Sequence, residues 1–86
     1  MKEELMTSLQ VPYRPGTPLS IRYYLLEETR EDQTLYGIKI SEETGRTSAV
    51  APGLTGSRQR AAELIALLAR GTVTPTGLAD VLADLL

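Results

Sequence analysis

The chain has 86 residues, and its nine basic and eleven acidic side chains give a formal net charge of −2. A chain of this length builds one small core, and its charge argues against a nucleic-acid binder that relies on overall positive charge. The sequence contains no histidine and no cysteine, which excludes disulfides, thiolate metal sites and catalytic pairs of the Ser–His or Cys–His type. We identify no catalytic, cofactor-binding or metal-ligating residue and expect a protein that is not an enzyme.

The first eighteen residues (1–18) are predicted to form an arm in front of a single domain that spans residues 19–86. Pro12, Pro15, Gly16 and Pro18 interrupt regular structure in this stretch. The run VPYRPGTP is extended and stiffened by proline. It either offers Tyr13 and Arg14 to a partner or serves as a plain linker.

The N-terminus carries two early glutamates and no apolar run, so it does not read as a signal peptide. No stretch approaches the roughly 20 apolar residues that cross a bilayer. We therefore expect a cytoplasmic protein without a membrane partner.

Three strands are predicted next, at Leu19–Glu28, Leu35–Ser41 and Arg46–Ala51, because these stretches are rich in β-branched and aromatic residues or alternate in polarity. Short connections favour an antiparallel meander. We expect Tyr36, Ile38 and Ile40 to face the helices together with Val50 and alternate residues of the first strand. Gly37 within a strand indicates a bulge or a close backbone approach.

Two helices are predicted after the strands. The first is capped by Ser57, closed by Gly71 in a left-handed conformation, and buries one apolar face. The second runs from Pro75 to Leu86, with Thr74 at the N-cap position. The predicted fold class is α+β, a three-stranded antiparallel β-meander packed against two C-terminal α-helices. The two apolar faces comprise Ala61, Leu64, Ile65 and Leu68 in the first helix, and Leu78, Val81, Leu82 and Leu85 in the second.

Four segments resemble a family of small proteins from Gram-positive, largely clostridial bacteria that is catalogued as a domain of unknown function. The resemblance covers roughly residues 20–86 and leaves the N-terminal arm outside. It implies strands followed by helices and a bacterial cytoplasmic setting, and it implies no substrate, cofactor or catalytic residue. The segments are YYLLEE at Tyr23–Glu28, YGIKI at Tyr36–Ile40, GLTGS at Gly53–Ser57 and LLARGTVTPTGLADVLADLL at Leu67–Leu86.

The turn from Gly53 to Arg60 is the best local candidate for a binding site. Backbone N–H groups at a helix start favour anions, and Thr55, Ser57, Arg58 and Arg60 could contact a phosphate or a carboxylate of a partner. The alternative is an ordinary capped helix start with two solvated arginines, since the lysine and spacing of a phosphate-binding loop are absent.

These features favour a small non-enzymatic protein-binding module that contacts another protein or a second copy of itself. The candidate interface residues are Tyr13, Arg14, Tyr24 and Leu86, because tyrosine and arginine are enriched at interface centres and the chain ends in leucines. The alternative is a nucleic-acid-associated regulator that uses Arg58 and Arg60. A helix-turn-helix DNA-binding role is disfavoured because the helix from Pro75 carries Asp80 and Asp84 and no basic residue.

Overall fold

The computed structural model describes residues 1–14, 17–42 and 47–85. Its described part is a four-stranded antiparallel sheet in the order β1-β2-β3-β4, followed by two α-helices that are joined through a short 3₁₀ turn. The α+β class is confirmed, but the sheet has four strands where three were predicted. The elements are β1 (Lys2–Arg14), β2 (Thr17–Arg30), β3 (Gln33–Glu42), β4 (Ser48–Thr55), α1 (Arg58–Arg70), the 3₁₀ turn Pro75–Gly77 and α2 (Leu78–Leu85).

The additional strand is β1, which occupies most of the segment predicted to be an irregular arm. It pairs with β2 along its length, from Lys2 opposite Glu27 to Arg14 opposite Thr17. Proline is tolerated here because β1 is an edge strand, where a missing backbone N–H need not break the ladder. Register shifts at Met6 and Tyr13 break the alternation of side chains, which hid the strand in the sequence.

The core lies between one face of the sheet and the helices. Directly opposite residues share a face, so Ile21, Tyr23 and Leu25 of β2 face the helices together with Ile38 and Ile40 of β3. All five are at most 1% exposed. The predicted face of Ile38 and Ile40 is confirmed, and partly buried Tyr36 packs beside them.

Helix α1 covers this face with the residues that its sequence spacing predicts. Ala61, Leu64, Ile65 and Leu68 are buried. Ser57 caps the helix, since its hydroxyl oxygen accepts a hydrogen bond of 3.1 Å from the backbone N–H of Arg60.

The end of α1 differs from the prediction. Gly71 has φ −87°, and the left-handed residue is Thr72, with φ 53°. The N–H of Val73 donates to the carbonyl of Leu68 at 3.0 Å, and the N–H of Thr72 donates to that of Ala69 at 3.1 Å. This is a Schellman motif in which a threonine stands where glycine is usual.

The second predicted helix is split into the 3₁₀ turn and α2. Pro75 begins the turn and is buried, while Thr74 occupies the N-cap position without a side-chain capping bond. Leu78 and Leu82 of α2 join the core. Leu85 is 37% exposed, and Leu86 lies outside the described residues.

Strand β4 runs past Pro52 to Thr55, further than predicted, and it approaches β3 closely at Gly37. A Cβ atom at Gly37 would lie 2.7 Å from Cα of Pro52 and closer still to the carbonyl oxygen of Ala51. The register shift between Tyr36 and Ile38 coincides with this approach, which confirms the prediction for Gly37. The prediction for Val50 is wrong. It pairs with Lys39 on the opposite face, is 52% exposed, and leaves Ala49 and Ala51 beside the core.

Candidate interaction surfaces

The start of α1, which was predicted as an anion site, uses its hydroxyl groups within the chain. The Thr55 hydroxyl oxygen accepts a hydrogen bond of 3.1 Å from the backbone N–H of Ser57, and the Ser57 hydroxyl caps the helix. Both hydroxyl oxygens therefore accept hydrogen bonds from the backbone around them, as in an ordinary capped helix start.

The two arginines of this turn are held in ion pairs. The Arg58 guanidinium donates a hydrogen bond to the carboxylate of Glu4 on β1, which raises the pKa of Arg58. Arg60 lies 3.9 Å from the carboxylate of Glu63 one turn along α1. Both pairs are exposed and add little stability, but they reduce the positive charge that this end of the helix presents.

Tyr24, a predicted interface residue, lies on the sheet face that carries no helix. It stands in a row across all four strands with Leu5, Lys39 and Val50. The Lys39 ammonium lies 5.5 Å from the Tyr24 ring centroid and 2.7 Å from a carboxylate oxygen of Glu3. The hydrogen bond to Glu3 raises the pKa of Lys39. Tyr24 is therefore half-buried under a fixed lysine rather than freely exposed.

Leu26 is buried on this same outer face, outside the main core. It is 2% exposed. It pairs with Gly37 of β3, which has no side chain, and with Glu3 of β1. The outer face thus combines an apolar row with the Lys39–Glu3 ion pair. The sequence predicted that this face is solvated, but it carries more apolar side chains than that prediction implies.

The two edges of the sheet differ in how open they are. β4 contains Pro52, which lacks a backbone N–H, and it is distorted beside Gly37. Such features blunt an edge against strand pairing. β1 also has a register shift at Met6 and a proline at Pro12, but between them it is regular from Thr7 to Val11, and it contains no charged residue from Leu5 to Val11. In the part of the chain that the structure describes, no strand pairs with its outer edge.

A groove of about 250 Å³ lies beside the β1 edge, between the strand and the flank of α1. Leu5 and Met6 at this edge are 53% and 38% exposed. Sequence reasoning missed this surface because it depends on β1 being a strand. The sequence feature that could have indicated it is the helical spacing of Ala62, Ala66 and Ala69, which lie beside the buried face of α1. The groove is lined by Met6, Thr7, Ala62, Ile65, Ala66 and Ala69.

Three of the four predicted interface residues fall outside the described side chains. The backbone of Tyr13 and Arg14 belongs to β1, but their side chains lie outside the described part, as does Leu86. Of the four predicted interface residues, only Tyr24 has a described side chain.

A second recess of about 260 Å³ lies where the ends of β1, β2 and α1 meet. Four of its charged side chains pair with one another, since Lys2 lies 3.9 Å from Glu27 and Arg58 is bound to Glu4. Over residues 1–14, 17–42 and 47–85, no cluster of three acidic residues could hold a metal ion. No helix within those ranges has the length and apolar character needed to cross a membrane.

The chain belongs to a family of proteins of unknown function, DUF6514, which matches residues 2–86. The match includes β1, the segment that the resemblance drawn from the sequence had left outside. No curated protein and no solved structure matches the chain.

Proposed function

We propose that the protein is a non-enzymatic protein-binding module whose binding surface is the open edge of β1. The observation that carries this proposal is the uncharged edge from Leu5 to Val11 with an apolar groove directly beside it. Unpaired N–H and C=O groups on a strand edge can bind an extended segment of a partner by backbone hydrogen bonds.

Backbone pairing alone gives no site for the partner's side chains, and the groove provides one. Successive side chains of an added strand alternate between the two faces of the sheet, so every second one would point towards α1. Ala62, Ala66 and Ala69 are small and leave room there. The expected partner segment is therefore extended, with apolar residues at alternate positions.

A nucleic-acid partner has less support. It depends on Arg58 and Arg60, and both arginines are paired with carboxylates. The net charge of −2 adds no general attraction to phosphates.

We also propose that the module acts in the cytoplasm of Gram-positive, largely clostridial bacteria. This rests on the family resemblance of the sequence.

The test is affinity capture from a bacterial lysate with the tagged protein, with and without nuclease, using two matched variants. Ala66→Glu places a charge in the groove, and Ala79→Glu makes the same change at an exposed position of α2. We expect a protein that is retained by the wild type and by Ala79→Glu, lost with Ala66→Glu, and insensitive to nuclease. Capture that disappears on nuclease treatment would contradict the proposal.

A further inference from the structure

We infer that the segment bound at the β1 edge is the β1 strand of a second copy of this chain, in a two-fold symmetric dimer. This inference rests on the proposed function, because it uses the same edge and groove. Antiparallel pairing of β1 with its symmetry mate would join the two sheets into one of eight strands. The two-fold axis would run perpendicular to the sheet, so the helices of both copies would lie on the same side.

The charge pattern of β1 suits antiparallel self-pairing. Its centre is uncharged, and the acidic residues Glu3 and Glu4 lie at one end. With the axis at Ser8, the acidic ends of the two copies would be about 30 Å apart, at about 3.3 Å per residue. A parallel arrangement would place them side by side.

The position of the axis follows from where α1 lies along β1. Arg58, at the start of α1, is bound to Glu4, and the groove joins Met6 and Thr7 to the middle of the helix. Ala66 lies about 12 Å along the helix from Arg58, a distance that about four strand residues cover. Ala66, four residues before the end of α1, therefore lies beside Ser8, so a two-fold axis at Ser8 would pass between the two copies of Ala66.

This axis also relates complementary groups on the helices. Two antiparallel α1 helices centred near Ala66 would place Arg70 of one copy towards Glu63 of the other, since these residues lie at similar distances on either side of the centre. In the sheet, Leu9 of one copy would stand opposite Thr7 of the other. Leu9, which packs against its own core, would then also lie beside Thr7 at the rim of the other copy's groove.

The two β4 edges, which stay unpaired in the dimer, explain why the pairing would stop at two copies. In the dimer both outer edges would be β4, which Pro52 and the distortion beside Gly37 make unsuitable for further pairing. The assembly would be closed rather than a growing fibre.

Sedimentation velocity over about 1 to 300 µM tests the dimer, followed by the Ala66→Glu and Ala79→Glu variants. We expect a concentration-dependent shift towards twice the monomer mass of 9.4 kDa for the wild type and for Ala79→Glu. Ala66→Glu brings two like charges to the axis and should raise the dimer Kd by about tenfold or more. Circular dichroism would confirm that the variant is folded. A wild type that remains monomeric over the whole range would overturn the inference.

Disulfide trapping tests the register independently, since the chain has no natural cysteine. Ser8→Cys places a thiol at the axis, Gln10→Cys moves it two residues along the same face, and Ser48→Cys places it on β4. All three positions are exposed. We expect rapid oxidation to a dimer for Ser8→Cys only, because the two Gln10→Cys thiols would be separated by about four residues, or roughly 13 Å.

Failure of the dimer can be distinguished from failure of the binding module. If Ser8→Cys forms a dimer no faster than Ser48→Cys, or more slowly than Gln10→Cys, the inferred dimer is wrong. Loss of a captured protein in Ala66→Glu would still support the β1 edge as a binding surface for a different chain.

Discussion

The phenolic oxygen of Tyr23 donates a hydrogen bond of 2.8 Å to the backbone carbonyl oxygen of Val73, fifty residues further along the chain. Tyr23 lies in the middle of β2 and is fully buried, while Val73 lies in the connection between α1 and the 3₁₀ turn. One hydrogen bond therefore ties the central sheet to the point where the chain turns from one helix to the next. It also satisfies the only polar group of a large core side chain.

Tyr23→Phe should destabilise the protein by about 1 to 2 kcal/mol, because it removes this bond and leaves the Val73 carbonyl without its partner. Urea denaturation followed by circular dichroism would measure the loss. Tyr24→Phe is the matched control, since Tyr24 is the next residue of β2 and lies on the opposite face. Its effect should be within about 0.5 kcal/mol. Equal effects of the two changes would show that the Tyr23 bond contributes nothing specific.

Stability should fall in alkaline solution because burial raises the pKa of Tyr23 above its usual value of 10.0. Above pH 10 the unfolded chain loses the phenolic proton while the folded chain keeps it, so the free energy of unfolding decreases as pH rises. Below pH 10 both states are protonated, and this contribution is fully present. Lys39, whose pKa is also raised, acts in the same direction.

Denaturation of the wild type and Tyr23→Phe between pH 8 and about 11 would isolate the contribution of Tyr23. The wild type should lose its advantage over the variant as the pH passes 10. A difference between the two proteins that stays constant over this range would contradict the prediction.

Thr72→Gly should stabilise the protein by about 0.5 to 1 kcal/mol. Thr72 is an exposed residue with φ 53°, a conformation in which a β-branched side chain is strained and glycine is not. Part of the gain is offset by the greater flexibility of glycine in the unfolded chain. For a domain of this size, the melting temperature should rise by about 2 to 8 °C.

Gly71→Ala is the companion change, and it should be neutral or slightly stabilising. Gly71 has a negative φ, and a Cβ atom there would be no closer than 3.7 Å to its neighbours. If Gly71→Ala is strongly destabilising and Thr72→Gly is not stabilising, the left-handed residue is Gly71 and not Thr72.

The sequence was most informative where one local rule acted alone. The start of α1 followed from Ser57, and its buried face followed from the helical spacing of Ala61, Leu64, Ile65 and Leu68. Strands β2, β3 and β4 were found because their segments are rich in β-branched and aromatic residues or alternate in polarity. The left-handed residue was misplaced by one position, at Gly71, because glycine is only a preference in this conformation and Thr72 adopts it instead.

β1 could not be predicted because its evidence is not local. Its proline and glutamates are disfavoured in a strand, and the bulge at Met6 shifts the side-chain alternation that would have revealed it. The same holds for the candidate surface. The ion pair between Arg58 and Glu4 joins residues 54 positions apart, and the groove exists only once β1 lies beside α1.

Leu68→Ala and Leu82→Ala should each destabilise the protein by about 2 to 5 kcal/mol, because both leucines are buried in the core between the helices and the sheet. Leu68 is 1% exposed and Leu82 is 6% exposed, so we expect the larger loss at Leu68. Leu67→Ala is the control, since Leu67 is 42% exposed on the outer side of α1. A loss for Leu67→Ala as large as that for Leu68→Ala would contradict the assignment of the buried face.

Gly37→Ala should be among the most destabilising single changes in the sheet, at about 2 kcal/mol or more. The added methyl group would meet the backbone at Ala51 and Pro52, which cannot rotate away as the end of a flexible side chain could. Strands β3 and β4 would have to separate locally. Gly56→Ala is the control, because the nearest atom to a Cβ there is the Thr34 carbonyl oxygen at 3.8 Å. Thermal denaturation of both variants would measure the difference, and a Gly37→Ala protein as stable as Gly56→Ala would show that β4 does not approach β3 as closely as described.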